Sequence, residues 1–270
     1  MSENGKNSKY EDLCVPYTGE SNTGVDRTTL DKKLMSGYQG WFRTPGDESP
    51  HKWNHYSRGE FEPGNVTIEV WPDMTELDED EKYKTGFTYS NGSPSYVYSS
   101  VNKKSVMRHF KWMEDYNHDG VFVQRFFGTA KAHLNGGADA WNSLRPLSLC
   151  REGANVYGRT YALMYDLSSM VTADRDLLKE DWMLLRDKMR LTEDDAYLHH
   201  NGKPVVSIWG IGFSDRAGYD LDDCMDLVKF FKDEGCTVKI GVPTLWRSLG
   251  RGDGGSLKIV TLKVSANQNF

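Results

Sequence analysis

Five short apolar runs, at 34–42, 120–123, 161–165, 205–209 and 238–242, are separated by amphipathic stretches of helical period. This alternation constrains the fold more than any other feature of the chain. Val106, Phe110 and Met113 stand at i, i+4 and i+7, Leu178, Trp182, Leu185 and Met189 repeat that spacing, and Leu221, Val228 and Phe231 mark a last helix. A helix with Trp141 and Leu144 lies between them, and a break is expected at Pro146. Strand and helix alternating over a whole domain predict a parallel sheet and an α/β fold.

Each strand is apolar within and polar or aromatic just past its C-terminal end: Tyr38-Gln39, Gln124-Arg125, Asp166, Trp209, and then Thr244 and Trp246. In a (β/α)8 barrel of the TIM type such positions converge on one mouth, whereas in an open doubly wound sheet they form a crevice. The chain lacks both G-x-G-x-x-G after its first strand and G-x-x-x-x-G-K-[ST], so the barrel is expected. The stretch 257–264 adds one more strand candidate, giving at most six where closure needs eight. The expected barrel is therefore incomplete, with two open strand edges that invite self-association.

Around this frame, residues 1–28 are polar and without period and read as a flexible N-terminal arm. Residues 29–246 form the partial barrel domain, and 247–270 a divergent Gly-rich tail. A connection at 43–100 carries Trp53, His55, Tyr56, Phe61, Trp71, Phe87, Tyr89, Tyr96 and Tyr98. Loops that long are usually functional or disordered, and the aromatics argue against disorder.

The formal net charge of -6, with signs interspersed, leaves no basic footprint for nucleic acid. No apolar run approaches a membrane span, and the first residues, MSENGKNSKYED, lack the apolar core of a signal peptide. As written the chain reads as cytoplasmic, or as secreted if residues precede it. Cys14, Cys150, Cys224 and Cys236 show no metal spacing and are expected to be free thiols. His199 and His200 point to opposite faces of a strand, and His109 and His118 read as surface or helix-end residues. No metal or other cofactor is expected.

The runs Gly37-Tyr38-Gln39-Gly40-Trp41-Phe42, Trp53-Asn54-His55, Trp71-Pro72-Asp73, Tyr98-Ser99-Ser100, Arg108-His109-Phe110 and Asp119 to Phe126 resemble the glycoside hydrolase family 71/99-like group. The likeness continues through Tyr165-Asp166-Leu167-Ser168 and Tyr197 to Pro204 as far as Gly241-Val242-Pro243-Thr244. The endo-alpha-mannosidases of family 99 are more distant relatives of that group. The resemblance implies a (β/α)8 barrel with a carbohydrate cleft at the C-terminal ends of its strands. Aromatic faces would stack on sugar rings while polar side chains fix hydroxyls. Tyr38, Trp53, His55, Trp71, Asp73, Gln124, Arg125, Asp166 and Trp209 are the expected substrate-binding residues. For each aromatic the competing reading is core packing. Asp166 is the best catalytic candidate, because a carboxylate directly after an apolar strand needs a partner or a purpose.

The resemblance also implies two catalytic glutamates three residues apart after a late strand, and this chain has nothing matching them. Glu76 and Glu79 share that spacing but lie in the acidic run 76–81, which reads as a solvated face. Three functions follow: an endo-acting glycosidase of a mannan- or glucan-type glycan, a non-catalytic carbohydrate binder, and an adhesion protein using Arg251-Gly252-Asp253. A C-terminally truncated product is the expectation for the chain as a whole. Sequencing the gene past the codon for Trp246 checks it: a reading frame for further barrel strands and a glutamate pair is expected there, and its absence refutes truncation.

Overall fold

The computed structural model describes residues 13–213 and 215–243. In chain order, β1 (Met35–Tyr38) is followed by an insertion holding the hairpin β2 (Tyr83–Thr88) and β3 (Pro94–Val97). Then come α1 (Lys103–Asp115), β4 (Gly120–Phe126), α2 (Phe127–Asn135), α3 (Gly137–Val156), β5 (Thr160–Asp166) and α4 (Asp176–Leu184). The short β6 (His199–His200), β7 (Lys203–Trp209), α5 (Leu221–Asp233) and β8 (Thr237–Gly241) complete the described chain.

Strands β1, β4, β5, β7 and β8 pair in parallel in that sequential order. A doubly wound sheet reverses its strand order at a switch point; this one does not, so its winding is that of a barrel. β6 is a short antiparallel partner of the start of β7. Among the described residues β1 and β8 do not pair with each other, and the barrel is an open segment. Of the last strand positions named above, 257–264, Thr244 and Trp246 lie outside the described residues, as does the tail at 247–270.

The two-residue period of the strands separates two faces. Val121, Val123, Tyr161, Leu163, Tyr165, Val206 and Ile208 are buried beneath the helices and make the main core with Phe110, Leu144, Trp182 and Phe231. The opposite face carries Phe122, Gln124, Ala162, Met164, Asp166, Ser207, Trp209 and Lys239 in register. Lys239 on β8 reaches over the ring of Phe122 on β4 at 4.7 Å. Those strands are three steps apart, roughly 14 Å in a flat sheet. The sheet is therefore curled, with this face inside.

Residues 13–28, expected as a mobile arm, instead strap the N-terminal ends of the strands. Asn22 N–H donates to Asn155 O at 2.9 Å and Val25 N–H to Gly158 O at 2.9 Å. Arg27 donates to the carbonyls of Arg159, Asp195 and Asn22 at 2.9 to 3.0 Å. Polar composition marked this segment as mobile, but its partners are backbone groups that composition does not reveal.

The insertion has its own core of Tyr56, Phe61 and Val97, with Phe42, Trp53, Trp71 and Phe87 packed around them. Its acidic run is exposed at Glu76, Asp78, Glu79 and Asp80, as the solvated reading expects, but its last member, Glu81, anchors the insertion to α1. Glu81 is fully buried and accepts from Arg108 Nη2 at 2.6 Å and Nε at 3.2 Å. Asp78 and Asp80 pair with Lys104 at 2.6 and 2.9 Å. Those basic side chains fill the place a cation would take beside the three acids.

Asn102 caps α1, its Oδ1 accepting from the N–H groups of Lys104 and Ser105. In mid-helix, and not at a surface or a helix end as expected, His109 is enclosed by aromatics. Its Nδ1 lies 3.0 Å from Tyr38 Oη, and Tyr98 and Trp112 flank the ring at 5.3 and 5.6 Å. Burial is the largest influence on it and holds its pKa down to about 4. An unfolded histidine titrates near 6.5, so between pH ~6.5 and ~4 the unfolded chain takes up a proton that the folded one refuses. Stability should fall by about 3 kcal/mol as pH drops through that window. Urea unfolding as a function of pH checks this, and His109→Gln should flatten the profile there.

Candidate functional site

At the C-terminal end of β1 the chain turns sharply. Gly40 has φ +60, and a Cβ there would meet Pro146 of α3 at 2.8 Å, so glycine serves both the backbone and the close approach. The turn delivers Trp41 into a row of parallel rings. His55 stacks on it at 4.1 Å and Phe126, from the end of β4, at 5.4 Å. His55 itself sits at φ 62, a left-handed conformation that a non-glycine residue holds only when its surroundings fix it. They do: Arg43 and Asn54 bond backbone to backbone in both directions, and Asn54 Nδ2 donates to Trp41 O at 3.3 Å. Burial first, and the charge of Arg43 second, hold the His55 imidazole below its ordinary pKa.

Beneath the row lies a cavity of about 420 Å³ between the ends of β1 and β4, the helices α2 and α3, and the insertion. That volume is within the ~300–1,000 Å³ range of small-ligand sites. Gln39, Asn54, Gln124 and Asn142 bring amide groups to its lining, and Thr129 brings a hydroxyl.

α3 runs through Pro146 without the expected break. Proline has no N–H to give the carbonyl four residues back, which here belongs to Asn142. Arg43 Nη2 donates to that carbonyl at 3.4 Å, and Arg125 Nη1 donates to the next, Ser143 O, at 3.1 Å. Two guanidinium groups thus serve the turn of helix that the proline disturbs.

The expected binding residues divide into three groups. His55, Gln124 and Arg125 line the cavity. Asp166 and Trp209 lie beside it along the strand ends, on the inner face with Gln124. Gln124 Nε2 donates a short hydrogen bond to Asp166 Oδ2, Ser168 N–H donates to Oδ1 at 2.8 Å, and Trp209 pairs in register with Asp166. Trp209 is 39% exposed and packs on Phe213 at 5.3 Å.

Tyr38, Trp53, Trp71 and Asp73 are placed elsewhere. Tyr38 lies under α1 against His109, and burial pushes its phenol well above the usual value. Trp53 and Trp71 pack on Phe61 in the core of the insertion, and Trp71 Nε1 donates to Tyr96 O at 2.9 Å. The Asp73 carboxylate accepts from Thr75 N–H at 2.9 Å and from its hydroxyl at 2.7 Å.

Arg125 lines the cavity from the helix side, and its guanidinium is engaged below it. Nε and Nη2 contact both oxygens of Asp181 at 2.6 and 2.5 Å. His133 Nδ1 lies 2.5 Å from the same carboxylate, and Tyr165 Oη donates to it at 2.9 Å. Burial pushes Asp181 up, but Arg125 and then His133 outweigh it and bring the pKa to about 2.

Trp41, Arg43 and Asn142 also line the cavity and are not among the expected substrate-binding residues. Trp41 obeys the same aromatic-after-strand rule that selects Trp209. Arg43 and Asn142 have no signal of their own, because only the packing against α3 buries them.

No known family model matches the sequence, and no curated protein matches it. Among solved structures, a family 99 endo-alpha-mannosidase from Bacteroides thetaiotaomicron, in complex with bis-tris-propane, superposes with a TM-score of 0.42 at 15% identity, covering 67% of this chain and 43% of the other. A second structure of the family 99 endo-alpha-mannosidase from that organism gives 0.39 at 19% identity, covering 67% and 46%. The chain spans less than half the length of either.

The Arg125 and Asp181 pair is buried on both sides, at 2% and 0% side-chain exposure. Arg125→Met leaves the carboxylate without its main partner, and a loss of about 3–5 kcal/mol is expected in urea unfolding. The double variant Arg125→Met with Asp181→Leu should recover part of that loss, by removing the orphaned charge, while the bonds of Tyr165 and His133 to Asp181 stay lost.

Proposed function

We propose that this protein binds a glycan at the strand ends of its open barrel, in the cavity roofed by His55, Trp41 and Phe126. The stacked row of rings beside convergent amide groups carries the reading. Ring faces suit the apolar C–H faces of sugars, and carboxamides can both donate to and accept from hydroxyls. The position supports it too, since barrels place their ligands at this end. Trp209, 39% exposed, extends the surface along the inner face past the buried Asp166, where a longer oligosaccharide would run.

Binding is favoured over turnover for a chemical reason. Glycoside hydrolysis ordinarily needs two carboxyl groups flanking the scissile bond, and among the described residues the lining of the cavity includes none. Hydrolysis of a mannan- or glucan-type chain, which the sequence resemblance implies, would draw on Asp166 as its acid or base.

Calorimetric titration of the full chain with a panel of neutral and acidic oligosaccharides tests the proposal. Saturable binding is expected, weakened about tenfold in Trp41→Ala through loss of one stacking face. Reducing-sugar release in the same samples reports turnover, and Asp166→Asn should abolish any that occurs. Absence of binding across the panel, or unchanged affinity in a folded Trp41→Ala protein, refutes the reading.

A further inference from the structure

The ionisable residues lining the cavity are Arg43, Arg125, His51 and His55, all of them bases, in a chain whose formal net charge is -6. Arg125 is matched by Asp181, as described above. Arg43 has no such match. It is 5% exposed, and among the described residues its hydrogen bonds go to neutral acceptors: the carbonyls of Gly40 at 2.8 Å, Phe42 at 3.0 Å and Asn142 at 3.4 Å. Its Nε is buried without a hydrogen-bond partner. Asp47, itself buried, is the carboxylate whose charge bears on it from a distance, and no hydrogen bond joins the two: its oxygens bond to neutral donors instead. Oδ2 accepts from Thr44 N–H at 2.8 Å and the Ser99 hydroxyl at 2.6 Å, and Oδ1 accepts from Ser49 N–H at 3.0 Å. Burial lowers the Arg43 pKa to about 10, still far above neutrality, so the guanidinium remains charged.

Asn142 stands beside it. The residue is 8% exposed and lines the cavity, and both atoms of its carboxamide are buried without a partner. Buried polar groups are nearly always hydrogen-bonded, and a buried cation ordinarily has a counter-charge. A guanidinium with no directly bonded carboxylate and an unused carboxamide, meeting at the wall of one cavity, are what a bound oxyanion would satisfy, the first by charge and both by N–H donation.

We infer that the cavity selects an acidic sugar, with the carboxylate of a uronate unit received by Arg43 and Asn142 and its ring lying along the Trp41 row. This rests on the carbohydrate reading above and narrows it: charge at Arg43 sets the choice of sugar, and the aromatic row holds the ring. A free inorganic oxyanion shares the charge but has no ring to stack.

The test compares trigalacturonic acid with its methyl ester, which removes the charge and keeps the shape, by titration of the full chain, with inorganic sulfate as a third ligand. The acid should bind at least tenfold more tightly than the ester. Arg43→Gln should erase that preference. Asn142→Leu, at a side chain with no bonds to lose, should weaken binding of the acid severalfold and serves as the reporter if Arg43→Gln does not fold. Equal binding of acid and ester, or an acid preference untouched in folded Arg43→Gln or Asn142→Leu, overturns the acidic-sugar inference and leaves the glycan reading standing. Binding of sulfate with no binding of any oligosaccharide overturns both, as does no binding at all.

Discussion

A proline in the middle of a helix leaves backbone carbonyls that two buried guanidinium groups, Arg43 and Arg125, come to serve. Pro146 cannot serve the carbonyl of Asn142, and the Arg43 guanidinium does so in its place, while Arg125 reaches the adjacent carbonyl of Ser143. Holding Arg43 there requires the loop after β1 to press against α3, which only Gly40 permits. The same press fixes Trp41 between His55 and Phe126. A backbone defect, two charged side chains and the aromatic row therefore meet in one arrangement, with Arg125 also held by Asp181.

The alternation of side chains along β4 keeps that arrangement apart from the remaining polar chemistry. Gln124 turns inward to Asp166, and Arg125 turns outward to Asp181. Neighbouring residues thus serve opposite faces with opposite demands. The outward pair is dry and buried, so its worth lies in complete satisfaction. The inward pair shares its face with Trp209 and Lys239, and its carboxylate is also buried, at 4% exposure, where Gln124 and the Ser168 N–H hold it.

The frame was legible in the sequence because it rests on local periodicity. The 3.6-residue pattern at Val106, Phe110 and Met113 and the apolar run at 161–165 both name their elements, and the absence of phosphate-binding glycine loops favoured the barrel winding. The site was legible in part. Strand ends pointed to Gln124, Asp166 and Trp209, since register carries position directly. Trp53 and Trp71 misled because a long insertion with enough aromatics can build its own core, and composition does not say which core a tryptophan joins. Arg43 and Asn142 were illegible because neither belongs to a periodic pattern. Their role arises from a proline over a hundred residues away from the first and four from the second.

The strap at 13–28 sets a timetable for the chain's own synthesis. Arg27 waits for the carbonyl of Asp195, which lies 168 residues later. At roughly 5–20 residues per second that is an interval of about ten to thirty seconds on a ribosome. Until the residues at 151–159 are made the segment is without docking partners, while β1 and β4 can already pair. The strap is thus made before β1 but fastened only as the residues at 151–195 appear, and β7 and β8 follow it.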